Sequence, residues 1–313
     1  MGFGAKRLVG LRVEGHEQAT KRDLTPERNL SVGLGSRARS QRLTVLAQTT
    51  MIRSLPPEIL DLIIDHLHDE PATLRACCTA SKSWVPRTRT HLFAHVKFTR
   101  NFPVGSWAEV FPDPSNSPAH YTRTLAVGHK ATATAGTDVG RWIRVFHNVA
   151  HLHLSYHSGS FTLYHGLSPT VRSLRLRFPH AQPSGILALM CSFPLLEDFT
   201  LLLHDQGNEA GRRTTLSTSP RLTGSLELRS VIGGIGPFAR RLLDLPNGLN
   251  FTRIDLSCTE ETDFESTTDL VSGCSNTLEY LDVAGYVLGV FPSISTSGRC
   301  LTSSLRVAHT NFI

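Results

Sequence analysis

Four histidines in the middle of the chain have the type and spacing that come closest to a metal site. They are His147, His151, His153 and His157, and His151 and His153 would share one face of a strand. No Asp, Glu or Cys occurs from residue 147 to residue 160. Because two histidines alone do not make a closed metal site, we predict that no metal binds here.

A glycine-rich segment, LELRSVIGGIGPFA at residues 226–239, imitates a dinucleotide-binding fingerprint. Gly234 and Gly236 would form its turn, and Asp255 follows about twenty residues later. Pro237 removes an amide donor from the turn that would hold the pyrophosphate. A dinucleotide-dependent enzyme using Gly234 and Gly236 therefore stays only as an alternative, and no cofactor is predicted.

Other catalytic motifs are missing from the sequence. It contains no G-x-S-x-G elbow, no P-loop and no H-E-x-x-H pair. The six cysteines form no C-x-x-C pair and suit neither a zinc site nor a disulfide framework, so we expect reduced thiols. No residue can be given a catalytic role, and we predict that the protein is not an enzyme.

The net charge of +6 is concentrated at the N-terminus. Residues 1–50 hold nine Lys and Arg against four acidic residues, which leaves 23 basic and 22 acidic residues in the rest of the chain. A nearly neutral body does not indicate nucleic-acid binding. With no apolar run of about eighteen residues, a membrane partner is not indicated either.

We predict that residues 1–50 are a disordered basic extension, since they lack an apolar period. Two alternatives remain. Residues 1–13 contain no acidic residue and mix Lys and Arg with apolar residues, as transit peptides do. Met51 could also be the natural first residue.

After residues 101–120, whose prolines, glycine and serines predict a linker, the chain has a repeating pattern of apolar pairs. The two members of each pair are separated by one residue, as in a strand, and consecutive pairs are 22 to 28 residues apart. The pairs are Leu125 with Val127, Leu152 with Leu154, Leu174 with Leu176, Phe199 with Leu201, Leu226 with Leu228, Ile254 with Leu256, Leu281 with Val283, and Leu305 with Val307.

This spacing predicts an irregular leucine-rich-repeat solenoid over residues 121–313. The alternative is an ordinary α/β sheet protein in which the spacing is coincidental. The sequence ends soon after Val307 without a closing amphipathic segment, so we expect a frayed last repeat or a truncated C-terminus.

Side chains alternate along a strand, so the residues beside the apolar pairs would form a second, outward face. That face changes from cationic near Arg175 to acidic near Asp282, as mixed-charge protein-binding surfaces do. The candidate target-binding residues on it are His153, Arg175, Arg177, Thr200, Arg253, Asp255, Tyr280 and Asp282.

Residues 54–93, SLPPEILDLIIDHLHDEPATLRACCTASKSWVPRTRTHLF, contain three short helical signals and one tryptophan. Ser54 is a good N-cap, and Pro56 and Pro57 fit the first turn of a helix. Apolar residues then recur at helical spacing, so they share one broad face that must be buried. Forty residues bury too little surface to be stable alone, which predicts a partner or a docked neighbouring domain.

This segment, with its Leu-Pro-Pro-Glu start, apolar spacing and late Trp84, resembles an F-box, and residues 51–100 would be the F-box-like helical module. The resemblance implies docking on a Skp-type adaptor and through it on a cullin. The adaptor-binding residues would be Leu55, Pro56, Ile59, Ile63, Leu67, Leu74 and Trp84.

The second half resembles the irregular leucine-rich-repeat half of fungal F-box proteins, which implies that it holds a target protein. The expected fold class is α + α/β, a three-helix module followed by the solenoid. The expected function is the substrate-recognition adaptor of a Skp-cullin-F-box ubiquitin ligase in the cytoplasm or nucleus. The alternative is a stand-alone leucine-rich-repeat protein-binding module without ligase docking.

Overall fold

The structure is a computed structural model. It describes residues 55–128, 131, 139–155, 161–167, 169–178, 183–203, 222–230, 234–258, 263–285 and 306–308. The predicted basic extension at residues 1–50 and the proposed start at Met51 lie outside these residues. The chain divides into two compact units, Met1–Leu92 and Phe93–Ile313, which are described separately.

The described part of the first unit is helical. Helix α1 spans Pro57–His66, α2 spans Pro71–Ala80 and α3 spans Val85–Leu92, with a 3-10 turn at Lys82–Trp84 before α3. Both α1 and α2 begin at a proline, because proline's fixed φ suits the first helical position and its missing N–H costs nothing there. Ile64, Leu74 and Thr88 are the buried residues of the three helices.

The second unit contains one sheet in which all nine described strands are parallel and lie in chain order. The strands are β1 His95–Phe98, β2 Thr124–Val127, β3 His151–Ser155, β4 Ser173–Phe178, β5 Asp198–Leu203, β6 Ser225–Ser230, β7 Arg253–Cys258, β8 Tyr280–Gly285 and β9 Arg306–Ala308. Each strand therefore pairs with the strands that precede and follow it in the sequence.

Helices lie in the connections between these strands. They are α4 Val104–Val110, α5 Val139–Arg144, α6 Pro183–Cys191, α7 Gly236–Leu243 and α8 Asp263–Gly273, and a 3-10 turn at Phe161–Leu163 lies between α5 and α6. Consecutive members of this series contact each other. Parallel crossovers in one sheet share the same handedness, so a sheet in strict chain order places its helices on one side.

The apolar pairs of the sequence form the face of the sheet beneath this helix layer. The first residue of the first six pairs is fully buried: Leu125, Leu152, Leu174, Phe199, Leu226 and Ile254. The alternate residues of the same strands are half-buried or exposed. The sheet thus has one apolar face and one polar face, as expected from side chains that alternate along each strand.

Most strands begin with the same hydrogen-bonding pattern. The carbonyl of the residue just before one strand accepts the amides of two consecutive residues at the start of the next strand. The carbonyl of Arg123 accepts the amides of Ala150 and His151, and the carbonyl of Thr252 accepts those of Glu279 and Tyr280. Equivalent pairs of amides donate to the carbonyls of Ala94, Ala150, Arg172 and Gly224. Because each of these hydrogen-bonding patterns involves only neighbouring strands, the register of each strand depends on the strand before it.

The segment at residues 101–120, predicted to be a linker, contains α4 and two 3-10 turns at Pro114–Asn116 and Pro118–Tyr121. Trp107 is fully buried, its ring packs against Phe93, Phe98, Phe111 and Phe146, and its indole N–H donates to Ser117 Oγ at 3.0 Å. The prolines that indicated a linker instead begin short helical turns, where proline is well accommodated.

The predicted fold class, a three-helix F-box-like module followed by an irregular leucine-rich-repeat solenoid, is wrong. The structure instead has a single all-parallel sheet with helices, which is an α/β arrangement and agrees with the alternative considered above. The sequence pattern could not distinguish a leucine-rich-repeat solenoid from an α/β sheet. One strand and one helical crossover also take about 25 residues, and a strand covered on one face shows the same apolar pair.

Across the described ranges, no helix combines the length and the apolar character needed to cross a membrane.

Candidate functional site

Helix α1 leaves a row of apolar side chains exposed. Leu55, just before the helix, and Ile59, Leu62 and Ile63 within it are 37%, 42%, 55% and 47% exposed. Ile64, on the other side of the helix, is 2% exposed. We call Leu55, Ile59, Leu62 and Ile63 the apolar row. Large apolar side chains grouped in this way on a surface indicate an interaction site.

The structure separates the predicted adaptor-binding residues into three groups. Leu55, Pro56, Ile59 and Ile63 are exposed, Leu67 and Trp84 are half-buried, and Leu74 is 1% exposed. Leu74 therefore belongs to the interior of the helical unit. Leu62 is the most exposed member of the apolar row. It was not among the predicted adaptor-binding residues, because it lies just outside the broad apolar face that the helical spacing predicts.

An ion pair joins α1 to α3 beside the apolar row. The carboxylate of Asp65 accepts hydrogen bonds from Arg87 Nε at 2.6 Å, from a second guanidinium nitrogen of Arg87, and from His91 Nε2 at 2.7 Å. The hydrogen bond from Arg87 is the main reason that the pKa of Asp65 falls from 3.8 to about 2, and His91 contributes. This carboxylate positions the helix that carries the apolar row.

The predicted target-binding residues all lie on the polar face of the sheet, and the strand register aligns most of them. In one row across the sheet, neighbouring strands pair His153 with Arg175, Arg175 with Thr200, and Thr200 with Glu227. The same row continues from Glu227 to Asp255 and from Asp255 to Asp282. Neighbouring strands are about 4.8 Å apart, so the row forms one continuous surface.

Glu227 is the most connected residue of this row. Its carboxylate accepts from Thr200 Oγ1 at 3.1 Å and from Arg229 Nε at 2.8 Å, and Arg175 approaches it at 3.9 Å. Glu227 lies between Leu226 and Leu228, so the sequence pattern placed it on the outward face. The sequence alone could not show that it contacts more neighbours than the other outward residues, because those contacts depend on the strand register. Cross-strand pairs of this kind contribute a few tenths of a kcal/mol to about 1 kcal/mol each.

A second cluster lies on the next two strands, β7 and β8. Arg253 Nε donates to Asp255 Oδ2 at 2.9 Å, and its guanidinium carbon lies 4.3 Å from the centre of the Tyr280 ring. The hydrogen bond to Asp255 raises the pKa of Arg253, which keeps the guanidinium charged. The aromatic ring and the ion pair hold this arginine in one orientation.

His153 lies among positive charges. Its burial lowers its pKa, and the nearby Arg175, His151 and His95 lower it further. The described residues include no cluster of three or more His, Cys, Asp or Glu side chains that could hold a metal ion. His147 and His151 are exposed, and His157 lies outside the described residues.

The glycine-rich segment is occupied by a residue of the chain itself. The amide of Gly236, the first residue of α7, donates to Asp263 Oδ1 at 2.7 Å, and Asp263 is fully buried. A dinucleotide pyrophosphate would need this helix N-terminus, and a buried carboxylate there would repel it. Asp255, the acidic residue that follows the imitated fingerprint, is instead paired with Arg253.

No protein-family model matches the chain, and no curated protein matches its sequence.

Proposed function

We propose that the protein is a non-enzymatic substrate receptor of a Skp-cullin ubiquitin ligase. The helical unit docks on a Skp-type adaptor and through it on a cullin, and the polar face of the sheet binds the target protein. Ubiquitin transfer is then the task of partner enzymes, with no cofactor, membrane or nucleic acid required of this chain. This function implies a cytoplasmic or nuclear protein.

The observation that carries the proposal is the apolar row. Its four side chains stay 37% to 55% exposed although they are large and close together. Removing such surface from water is worth about 25 cal/mol per Å², so a protein partner that covers it gains substantial free energy. The resemblance of residues 54–93 to an F-box supports a Skp-type adaptor as that partner.

The structure also offers a reason why the row stays exposed. The interior of the helical unit is small, with Ile64, Leu74 and Thr88 as its buried helix residues, and the ion pair of Asp65 with Arg87 also holds α1 to α3. The remaining apolar side chains of α1 are then available for a partner without loss of the helical packing.

The test is the affinity of the purified protein for a purified Skp-type adaptor. The double substitution Ile59→Glu with Ile63→Glu should weaken binding at least about a hundredfold, because it places two charges in an apolar contact. Leu195→Glu is the matched control, since Leu195 is also an exposed apolar residue, at 48%, but lies in the second unit. It should leave adaptor binding unchanged.

A wild-type protein that does not bind the adaptor would contradict the ligase role. So would equal adaptor affinities for the wild type and the double variant, with helical circular dichroism showing that both are folded. That outcome would favour the second candidate function, a stand-alone protein-binding module. The polar face with its paired charges supports this candidate independently of the apolar row.

A further inference from the structure

The polar face of the sheet separates charge by position. Its side chains on β1 to β4 include basic residues and no acidic ones, and we call these basic residues the cationic half. They are His95, Lys97, His151, His153, Arg175 and Arg177. The carboxylates of β6, β7 and β8, which are Glu227, Asp255 and Asp282, form the acidic half.

Within the acidic half, like charges are direct neighbours. Glu227 pairs in register with Asp255, and Asp255 pairs with Asp282. Like charges opposite each other on neighbouring strands destabilise a sheet, so this arrangement has a cost in folding.

The fold compensates only part of this cost. Arg229 and Arg253 form ion pairs with Glu227 and Asp255. Asp282 pairs in register with Arg306 on β9, and it forms neither a hydrogen bond nor an ion pair with the residues whose side chains the structure describes. Arg175 reaches Glu227 only at 3.9 Å with 59% of its side chain exposed. Arg175 and Asp282 therefore keep charge that a partner could neutralise.

The separation of the two ends sets a length for that partner. Arg175 lies on β4 and Asp282 on β8, four strand spacings apart. At about 4.8 Å per spacing the distance is about 19 Å, which an extended chain covers with about six residues.

We propose that the polar face binds an extended protein segment that crosses the strands, with acidic residues over the cationic half and a basic residue about six positions away over the acidic half. This rests on the proposed role of the face in holding a target. A nucleic acid fits less well, because its phosphates would be repelled by Glu227, Asp255 and Asp282.

The direct test uses three labelled probe peptides with the same composition. Two have a block of glutamates and a block of lysines separated by about six Gly and Ser residues, in the two possible block orders, and the third has the same charges alternating. Fluorescence anisotropy at low salt should show at least about tenfold tighter binding of one block peptide. High salt should remove most of this difference.

Charge reversals on the sheet identify the surface. Arg175→Glu should abolish the preference for the block peptide. Arg144→Glu changes the net charge by the same amount at an exposed position on α5, in the helix layer, and should preserve the preference. Asp282→Lys is a second variant at the opposite end of the row, and it should also reduce the preference, so the test does not depend on one folded variant.

Three outcomes would overturn the inference. They are equal affinities for the block and alternating peptides, an equal loss with Arg175→Glu and Arg144→Glu, and tighter binding of a single-stranded oligonucleotide than of any of the peptides. Adaptor affinity measured on the same samples separates this inference from the ligase role. A protein that binds the adaptor but not the block peptide contradicts only the inference, and one that binds the peptide but not the adaptor contradicts only the ligase role.

Discussion

The carboxylate of Asp65 on α1 and the guanidinium of Arg87 on α3 form an ion pair across 22 residues of sequence, with Nε and Oδ1 2.6 Å apart. His91, one turn further along α3, donates to the same carboxylate oxygen. One acidic residue therefore holds together two helices, one of which carries the side chains proposed to meet the adaptor.

Asp65→Ala should destabilise the helical unit, because it leaves Arg87 and His91 without their shared acceptor. We expect a loss of about 1 to 2 kcal/mol in the free energy of local opening, a modest value because Asp65 is 32% exposed. Hydrogen exchange of peptides covering residues 57–92 measures this loss. Asp61→Ala, which removes the same charge from an exposed position of α1, should cost less than about 0.5 kcal/mol.

Equal hydrogen-exchange protection in the Asp65→Ala and Asp61→Ala variants would show that the ion pair contributes nothing to the packing of α1 on α3.

Acid should weaken the helical unit in a defined range of pH. Asp65 has a pKa of about 2 in the folded protein, against 3.8 in the unfolded chain. Between these values the unfolded state binds more protons, so stability falls as pH falls. The contribution of Asp65 is complete above about pH 5 and is lost as pH falls through 2. Asp65→Asn should flatten this part of an acid titration followed by hydrogen exchange. A titration of the same steepness in wild type and variant would contradict the assignment.

Asp263→Ala should destabilise the second unit by about 2 to 3 kcal/mol. The substitution leaves the buried amide of Gly236 without its acceptor at the start of α7. Asp263→Asn keeps an oxygen acceptor and should lose less than half as much. Urea denaturation measures both values. The control is Asp269→Ala, at an exposed position of α8, the helix that Asp263 begins. A loss of equal size at Asp269 would contradict a specific role for the buried carboxylate.

Gly224→Ala should destabilise the junction before β6. A Cβ there would lie 2.6 Å from Asp198 Oδ1 and 2.9 Å from the carbonyl oxygen of Glu197, and Asp198 Oδ1 accepts the Ser225 amide at 2.8 Å. We expect a loss of about 1 to 3 kcal/mol in a urea denaturation experiment, because the backbone must shift.

The matched control is Gly166→Ala, whose Cβ would meet only the flexible side chain of Arg144 at 3.5 Å. It should change stability by less than about 1 kcal/mol. Equal losses at Gly224 and Gly166 would mean that steric crowding at Gly224 is not the cause.

His153 should make the second unit less stable in mild acid. Its pKa is lowered by burial and by Arg175, His151 and His95, so the folded state prefers the neutral imidazole. As pH falls below about 6.5 the unfolded state binds the proton first, and the free energy of unfolding decreases until His153 itself protonates in the folded state. His153→Gln should reduce this dependence in urea denaturation between about pH 7 and 5. An unchanged pH dependence in the variant would contradict it.

The sequence predicted the location of the strands better than their architecture. The apolar pairs Leu125 with Val127 and Leu226 with Leu228 lie in β2 and β6, because alternation is a local property of a strand. The spacing between pairs measures only how long a strand and its crossover are. It therefore could not separate an α/β sheet from a leucine-rich-repeat solenoid.

The sequence also predicted which side chains share the polar face, but not their contacts. The ion pairs of Glu227 depend on the register of β4, β5 and β6, which is set by hydrogen bonds between consecutive strands 25 to 27 residues apart in the sequence. In the helical unit the apolar face of α1 was expected to be buried, and the small size of the unit predicted that a partner or a docked neighbouring domain would cover part of it. Only Ile64 is buried within α1, because short neighbouring helices cover just one side of it.

The chain-order pairing of β1 to β9 has a consequence for how this protein can change. Each strand makes its sheet contacts with its immediate neighbours in sequence, and each register is set locally. Duplication or loss of one strand with its crossover would widen or narrow the sheet by about 4.8 Å and leave the other pairings intact. An internal duplication that adds one strand with its crossover would thus extend the polar face by one strand spacing.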